Sequence, residues 1–246
     1  MSELSGRVAL VMGGSRGIGA EIARTLARNG AAVGFTYHSA ADQAHGLEEE
    51  IRAHGGHALG IQADSADPEA VRAAIETTVA RFGRFDILVN NAGVFPSGPL
   101  DEVTLEDVDR TLGIHVRGAF VAAQTAARHM TDYGRIINIG SCLAERLPGP
   151  GMTLYAMSKS ALKGLTKGLA RDLGPRGITA VVVDPGPTDT DMNPADGAAA
   201  DFLRQFIAVG HYGHAQDIAG MVAYLAGPGG RHVSGGTIAV DGGFAA

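Results

Sequence analysis

A doubly wound α/β fold on a mostly parallel seven-stranded sheet, with helices on both faces, is the fold class this sequence predicts. Three observations predict it. Short continuous apolar runs (VALVM, DILVN, ITAVVVD) recur along the 246 residues, as expected of strands buried on both faces of a parallel sheet. Stretches of helical period alternate with them, the βαβ pattern with right-handed crossovers. The 36 glycines follow no repeat and fall between the apolar runs, where tight turns and close backbone approaches belong.

Taken in order, strands are predicted over residues 7–12, 32–37, 57–62, 86–90, 134–139, 179–184 and 237–240. Helices are predicted over 17–29, 40–54, 68–82, 104–130, 153–173, 200–209 and 215–226. Gly30 stops the first helix. Asp67 caps the third ahead of Pro68, and Thr104 with Asp107 forms a capping-box-like start to the fourth. No linker-like boundary interrupts the pattern, so one domain over residues 1–246 is expected.

The composition narrows the function class. Hydrophobic residues make up 45% and charged residues 19%, which suits a globular core that needs no metal or disulfide staple. Cys142 is the single cysteine, so no internal disulfide forms and a reducing, cytoplasmic compartment is expected. The net charge is −6 without a basic patch, which argues against a nucleic-acid partner. No leader-like start and no long apolar run argues for a membrane. The nine histidines show no metal-ligand spacing, and no metal is expected.

The first strand runs into Gly13-Gly14-Ser15-Arg16-Gly17-Ile18-Gly19. A glycine-rich turn lets the backbone approach a pyrophosphate, and the next helix offers its N-terminal amides to the charge. Strand before and helix after, in the first βα unit, make this a dinucleotide-binding (Rossmann) turn. The second strand ends at Tyr37-His38-Ser39, with no acid before Asp42. An NAD site usually carries an acid there for the ribose 2′-hydroxyl. Its absence, with Arg16, His38 and Ser39 as cation and donors, favours NADP(H). Arg16 can also be read as a solvated turn residue.

Tyr155 and Lys159 share one helix face at i, i+4. A free phenol titrates at about pH 10, and a nearby ammonium lowers that value, which makes tyrosine a usable proton donor and acceptor. Ser141 closes the strand upstream, where its hydroxyl can meet a substrate carbonyl.

Together MGGSRGIG, NNAG at residues 90–93, Ser141, Tyr155-x-x-x-Lys159 and Asp184-Pro185-Gly186 resemble the short-chain dehydrogenase/reductases, in their roughly 250-residue branch. The resemblance extends from Gly6 to the closing VDGG and is similar in flavour to bacterial 3-oxoacyl-carrier-protein reductases. It implies hydride transfer between NADP(H) and a ketone or secondary alcohol. By resemblance Tyr155 is the acid/base, Ser141 orients the carbonyl, and Lys159 lowers the Tyr155 pKa and holds the nicotinamide ribose. Asn91, Ala92 and Gly93 line the adenosine side, Asp64 and Ser65 the adenine, and Pro185, Gly186, Thr188 and Thr190 the nicotinamide end. A homotetramer or dimer is implied as well.

Two departures stand out. Met12 occupies a place where the family often has threonine, at the expected cost of a turn hydrogen bond. His115 occupies the place of an asparagine that supports a water chain to the lysine. Either the imidazole joins that relay and adds a near-neutral limb to the pH profile, or only the local backbone carbonyl matters. PGPTDTDMNPADG and GLARDLGPRGIT also resemble a bacterial subgroup described as cyclic-di-GMP-binding biofilm-dispersal proteins. A nucleotide-binding regulator on this scaffold is therefore the alternative to an enzyme. A sugar-nucleotide epimerase fits less well, since such relatives carry extra chain. Residues 188–213 read as a mobile lid. Met192, Phe202, Leu203 and Phe206, with Leu143, Leu147 and Met152, either line an apolar pocket or serve as core and interface.

Overall fold

Successive residues of β1 (Val8–Met12) face opposite cores, and this sets the layering. In the computed structural model, which describes residues 3–246, Ala9 and Val11 point into one apolar cluster, and Leu10 and Met12 into another. All five are buried, as the uninterrupted apolar run requires. The helices follow the clusters. α1 (Gly17–Arg28), α2 (Ala41–Ala53) and α8 (Ala215–Ala226) pack on the first face. α3 (Pro68–Phe82), α5 (Ala119–His129) and α6 (Thr153–Leu173) pack on the second.

β2 (Ala32–Tyr37), β3 (His57–Gln62), β4 (Phe85–Asn90), β5 (Met130–Ile139), β6 (Thr179–Pro185) and β9 (Thr237–Val240) complete the sheet. The order is β3-β2-β1-β4-β5-β6-β9 and every pairing is parallel. The order reverses between β1 and β4, so a crevice opens at their carboxyl ends, where such sheets bind ligands. No helix among the described residues is long and apolar enough to cross a membrane.

Three expectations are corrected. The helix expected over 104–130 is broken into α4 (Leu105–Leu112), a π-helical turn over Gly113–Gly118, and α5. At Gly118 a Cβ would lie 2.3 Å from the Ser65 carbonyl oxygen, so this wall presses against the β3–α3 loop and only glycine fits. The strand expected at 134–139 starts at Met130, which pairs with Phe85; the chain then bulges, with Tyr133 at φ +69°, before Arg135 pairs with Ile87. The helix expected over 200–209 ends early as α7 (Ala200–Arg204), and the Val209 N–H pairs with the Gly242 carbonyl instead. A two-residue parallel ladder, β7 (Thr188–Asp189) with β8 (Gly213–His214), ties the ends of the 188–213 segment together. It is too short to leave a period in the sequence.

Candidate active site

The turn after β1 is built by close approaches. Gly13 has φ +68°, and a Cβ there would lie 2.7 Å from the Ala92 Cα. A Cβ on Gly19 would lie 2.2 Å from the Gly13 carbonyl oxygen. The Asn91 side-chain amide donates to that carbonyl at 2.7 Å, which fastens the end of β4 to the turn. With Met12 offering no side-chain hydrogen bond, the turn is held from β2. The Thr36 hydroxyl accepts from the Gly13 N–H at 2.8 Å, and its carbonyl accepts from the Gly14 N–H at 2.8 Å. The first amides of α1 have no side-chain cap, so the helix end presents open donors to the crevice. Gly17 faces Thr190 across that crevice, with 3.6 Å between a built Cβ and the threonine.

Arg16, His38 and Ser39 are all exposed at this edge, and Ser15, Ile18 and Tyr37 are half-buried beside them. The Arg16 guanidinium has no hydrogen-bond or ion-pair partner among the described residues. Asp64 is engaged: it accepts from Arg110 at 2.7 Å and from the Ala66 N–H at 2.9 Å, with His38 at 4.0 Å. Although burial works against it, the Arg110 hydrogen bond and charge hold its carboxyl below the usual range. Ser65 lies beside a small cavity, of about 10 Å³, also lined by Asn90, His115, Ile139 and Lys159. The buried Asn90 Oδ1 has no hydrogen-bond partner there. At the other end, a Cβ on Gly186 would lie 2.5 Å from the Asp241 Cα, so Pro185-Gly186 is clamped against the closing VDGG turn. The Thr188 hydroxyl donates to the Gly186 carbonyl at 2.9 Å.

Ser141, Tyr155 and Lys159 converge at the carboxyl ends of β5 and β6. The Ser141 N–H donates to Asp184 Oδ1 at 2.8 Å, and its Oγ accepts from the Leu143 N–H at 3.2 Å. At Gly140 a Cβ would lie 2.0 Å from Asp184 Oδ1, so the carboxylate seats only against glycine. Lys163, one turn beyond Lys159, approaches Asp184 Oδ2 at 3.4 Å and also pairs with Glu145. Burial pushes the Tyr155 phenol up to about 12; the Asp184 charge adds to this and the Ser141 hydrogen bond opposes it. Burial also pulls Lys159 down to about 8, against the attraction of Asp184. Lys159 does not bond the phenol. Its Nζ donates to the Ile139 carbonyl at 2.9 Å and stands 5.8 Å from the Tyr155 ring centroid. The expected lowering of the phenol pKa is therefore not seen, because burial dominates.

His115 is brought beside this group by the π-helical turn, and it is buried. Its Nε2 accepts from the Val94 N–H at 2.9 Å, and its Nδ1 faces the Ser158 hydroxyl at 2.8 Å. That hydroxyl donates to the Tyr155 carbonyl at 2.7 Å, so Nδ1 carries the ring proton. Burial first, then the charge of Lys159, pulls the imidazole down to about 3. Of the two readings of His115, the near-neutral limb finds no support in this geometry: the ring is neutral at about pH 7, and its nitrogens hold the Val94 N–H and the Ser158 hydroxyl.

Reasoning on motifs missed Thr36, Asp184 as a support, Lys163, Ser158 and Arg110. All five act through contacts distant in sequence or within one turn of a helix, and Thr36, Lys163 and Arg110 lie outside every short motif. The acid of Asp184-Pro185-Gly186, buried at a strand end, was the one available signal.

Residues 13–245 match the family model described as enoyl-(acyl carrier protein) reductase. The chain is 45% identical, over the full length of both, to the cyclic-di-GMP-binding biofilm dispersal mediator protein of Escherichia coli. It is 37% identical to a 3-oxoacyl-[acyl-carrier-protein] reductase of Synechocystis, covering 99% of each. Among solved structures, a blue fluorescent protein from a metagenomic library, in complex with NADPH, superposes with a TM-score of 0.97 at 60% identity, over 99% of this chain and 100% of that one. A short-chain dehydrogenase of Burkholderia cenocepacia in complex with NADP does so at 0.98 and 56%, with the same coverage. Fold, motifs in order and full-length similarity agree: the chain belongs to the short-chain dehydrogenase/reductase family of oxidoreductases.

Proposed function

We propose that this protein is an NADP(H)-dependent carbonyl reductase that moves hydride between nicotinamide and a ketone or secondary alcohol. The observation that carries the reading is the hydrogen bond between the Ser141 and Tyr155 side chains, with Lys159 one helical turn behind. The residues present fit the cofactor. Uncapped amides at the start of α1 suit a pyrophosphate, and unpaired Arg16 beside His38 and Ser39 suits a 2′-phosphate. The two NADP(H) complexes among the relatives support the same choice.

Bound NADPH supplies the hydride. The chain supplies placement and the proton. Ser141 Oγ accepts the Leu143 N–H and keeps its own proton to donate, to the Tyr155 oxygen or to a substrate carbonyl oxygen. Tyr155, protonated at neutral pH, gives its proton to that oxygen. Lys159 in its ammonium form is the cation one helical turn behind the phenolate that remains, 5.8 Å from the ring centroid. His115 holds Val94 and Ser158 in place and leaves the proton to others. Phe120 on α5 and Met157 on α6, both about half exposed, support self-association through these helices as a dimer or tetramer.

The test is NADPH consumption over a panel of ketones, 3-oxoacyl thioesters and quinones, with Tyr155→Phe as control. Turnover lost in that variant, with NADPH binding kept, is expected. Tight NADPH binding without turnover of any carbonyl would refute the reading. The similarity to the E. coli dispersal protein supports a second reading, a regulator that binds cyclic-di-GMP. Calorimetry with cyclic-di-GMP against NADPH separates the two.

A further inference from the structure

Asp184 closes β6 as a carboxylate almost without water, 1% exposed. Its Oδ1 is spent on the Ser141 N–H at 2.8 Å. Its Oδ2 is buried and makes no hydrogen bond. Among the described residues one cation comes within ion-pair distance of that oxygen, Lys163 Nζ on α6, at 3.4 Å. Lys163 is held from outside as well, because its ammonium also pairs with exposed Glu145, just past the Ser141 turn. The Glu145 N–H donates to the Cys142 carbonyl at 3.0 Å, which fixes that residue to the turn. Lys163 thus bridges the loop after β5 and the end of β6. The other titratable groups around Asp184 offer no substitute. Lys159, on the same helix face, donates to the Ile139 carbonyl at 2.9 Å. Tyr155 and Cys142 bring no positive charge. Asp241, in the closing turn, accepts from the Gly243 and Ala245 N–H groups at 2.9 and 3.0 Å.

A carboxylate out of water persists only when it is paired, and one that loses its partner takes up a proton instead. Burial already pushes the Asp184 carboxyl above its ordinary value, and Lys163 opposes that push. We infer that Lys163 is a positioning residue for the reduction: bridging Glu145 and Asp184, it holds the carboxylate against the Ser141 backbone and keeps a negative charge beside Tyr155 and Lys159. The inference rests on the reductase reading. Lys163 acts through Asp184, whose charge favours the Lys159 ammonium and opposes loss of the Tyr155 proton. The direction of the effect separates this from a direct one. Removing a cation one turn from Lys159 would by itself make the remaining ammonium easier to hold and carry the basic limb to higher pH. When Asp184 takes up a proton instead, Lys159 loses its attraction and Tyr155 its repulsion, and the limb moves to lower pH.

The experiment measures kcat against pH, with the carbonyl that the wild type reduces fastest, in wild type, Lys163→Gln, Lys163→Arg, Asp184→Asn and the Asp184→Asn/Lys163→Gln double variant. NADPH binding, followed by fluorescence, reports that each is folded. In Lys163→Gln, kcat at about pH 7.5 should fall by about threefold to thirtyfold, a part of what a well-placed general acid contributes. Its basic limb should move to lower pH, with NADPH affinity unchanged. Lys163→Arg keeps the cation and should keep the wild-type limb. In the Asp184→Asn background, Lys163→Gln should change neither kcat nor the limb any further. That comparison decides the matter even if Lys163→Gln alone fails to fold, since the double variant leaves no unpaired charge at position 184. A wild-type profile in Lys163→Gln, a limb moved to higher pH, or a further shift on top of Asp184→Asn would overturn the inference and leave the reductase reading standing. If wild type binds NADPH and no carbonyl in the panel turns over, both fall.

Discussion

A neutral, buried histidine makes stability depend on pH, and His115 allows the size to be worked out. Its ordinary value is 6.5 and its folded value about 3. Between these values the unfolded chain binds a proton that the folded chain refuses. The stability contributed by burying the neutral ring is fully present above 6.5 and is lost as pH falls toward 3. At about pH 5 the loss is roughly 1.5 pH units, or about 2 kcal/mol. A change of that size in a chain of this length moves the melting temperature by about 4–8 °C. Geometry gives the same sign, because a protonated Nε2 would face the Val94 N–H donor to donor. The assay is denaturant unfolding of wild type and His115→Gln at about pH 7.5 and about pH 5. Glutamine does not titrate, and its carbonyl keeps an acceptor near Val94. At about pH 7.5, where the wild-type ring is neutral in both states, the variant is less stable by about 1 kcal/mol, for the lost Ser158 bond. Its additional loss on acidification should be smaller than that of wild type by about 2 kcal/mol. Equal losses in the two proteins would show that His115 is not a buried neutral ring.

Further outcomes are expected. Asp184→Asn keeps an acceptor for the Ser141 N–H but removes the charge that raises Tyr155 and Lys159, so the basic limb of the kcat profile should move to lower pH. Asp184→Ala also orphans that N–H and should cost about 1–3 kcal/mol in unfolding. In wild type, activity should fall as pH rises through about 8, where Lys159 loses its proton, and His115→Gln should not remove that limb. Thr36→Val leaves the Gly13 N–H without its acceptor, and should weaken NADPH binding, measured by fluorescence titration, with about 1–2 kcal/mol of lost stability. Arg16→Ala should cut NADPH affinity about tenfold or more and leave NADH affinity little changed, because one unpaired guanidinium is offered to the 2′-phosphate.

The seven strands, their parallel pairing and the glycine turn were legible because burial on both faces leaves continuous apolar runs, and because close backbone approach admits only glycine. Ser141, Tyr155 and Lys159 were legible because strand ends and helical spacing place them locally. The break at Gly113–Gly118 was not legible. A π-helical turn keeps the apolar period almost intact, and the contact of its Gly118 with the Ser65 carbonyl comes from another loop. The early end of α7 was hidden for the same reason: Gly242, far along the chain, takes the Val209 amide.

The role of His115 shows where local reading stops. Position and residue type named it as a departure and suggested a proton carrier, since imidazole in water titrates at about 6.5. Protonation depends on solvation and on which groups face each nitrogen, and neither is local. Val94, Ser158 and Lys159 come to the ring from a loop and a helix distant in sequence. Likewise, Thr36 held the glycine turn from a neighbouring strand, and the buried Asp184 set the charge around Tyr155. Periodicity and spacing in the chain were enough for the fold and the cofactor turn, and the family resemblance added Ser141, Tyr155 and Lys159 as the proposed catalytic residues. The protonation states of those residues, and the side chains that hold them, were decided by packing, because burial and opposing charges exist only once the elements meet.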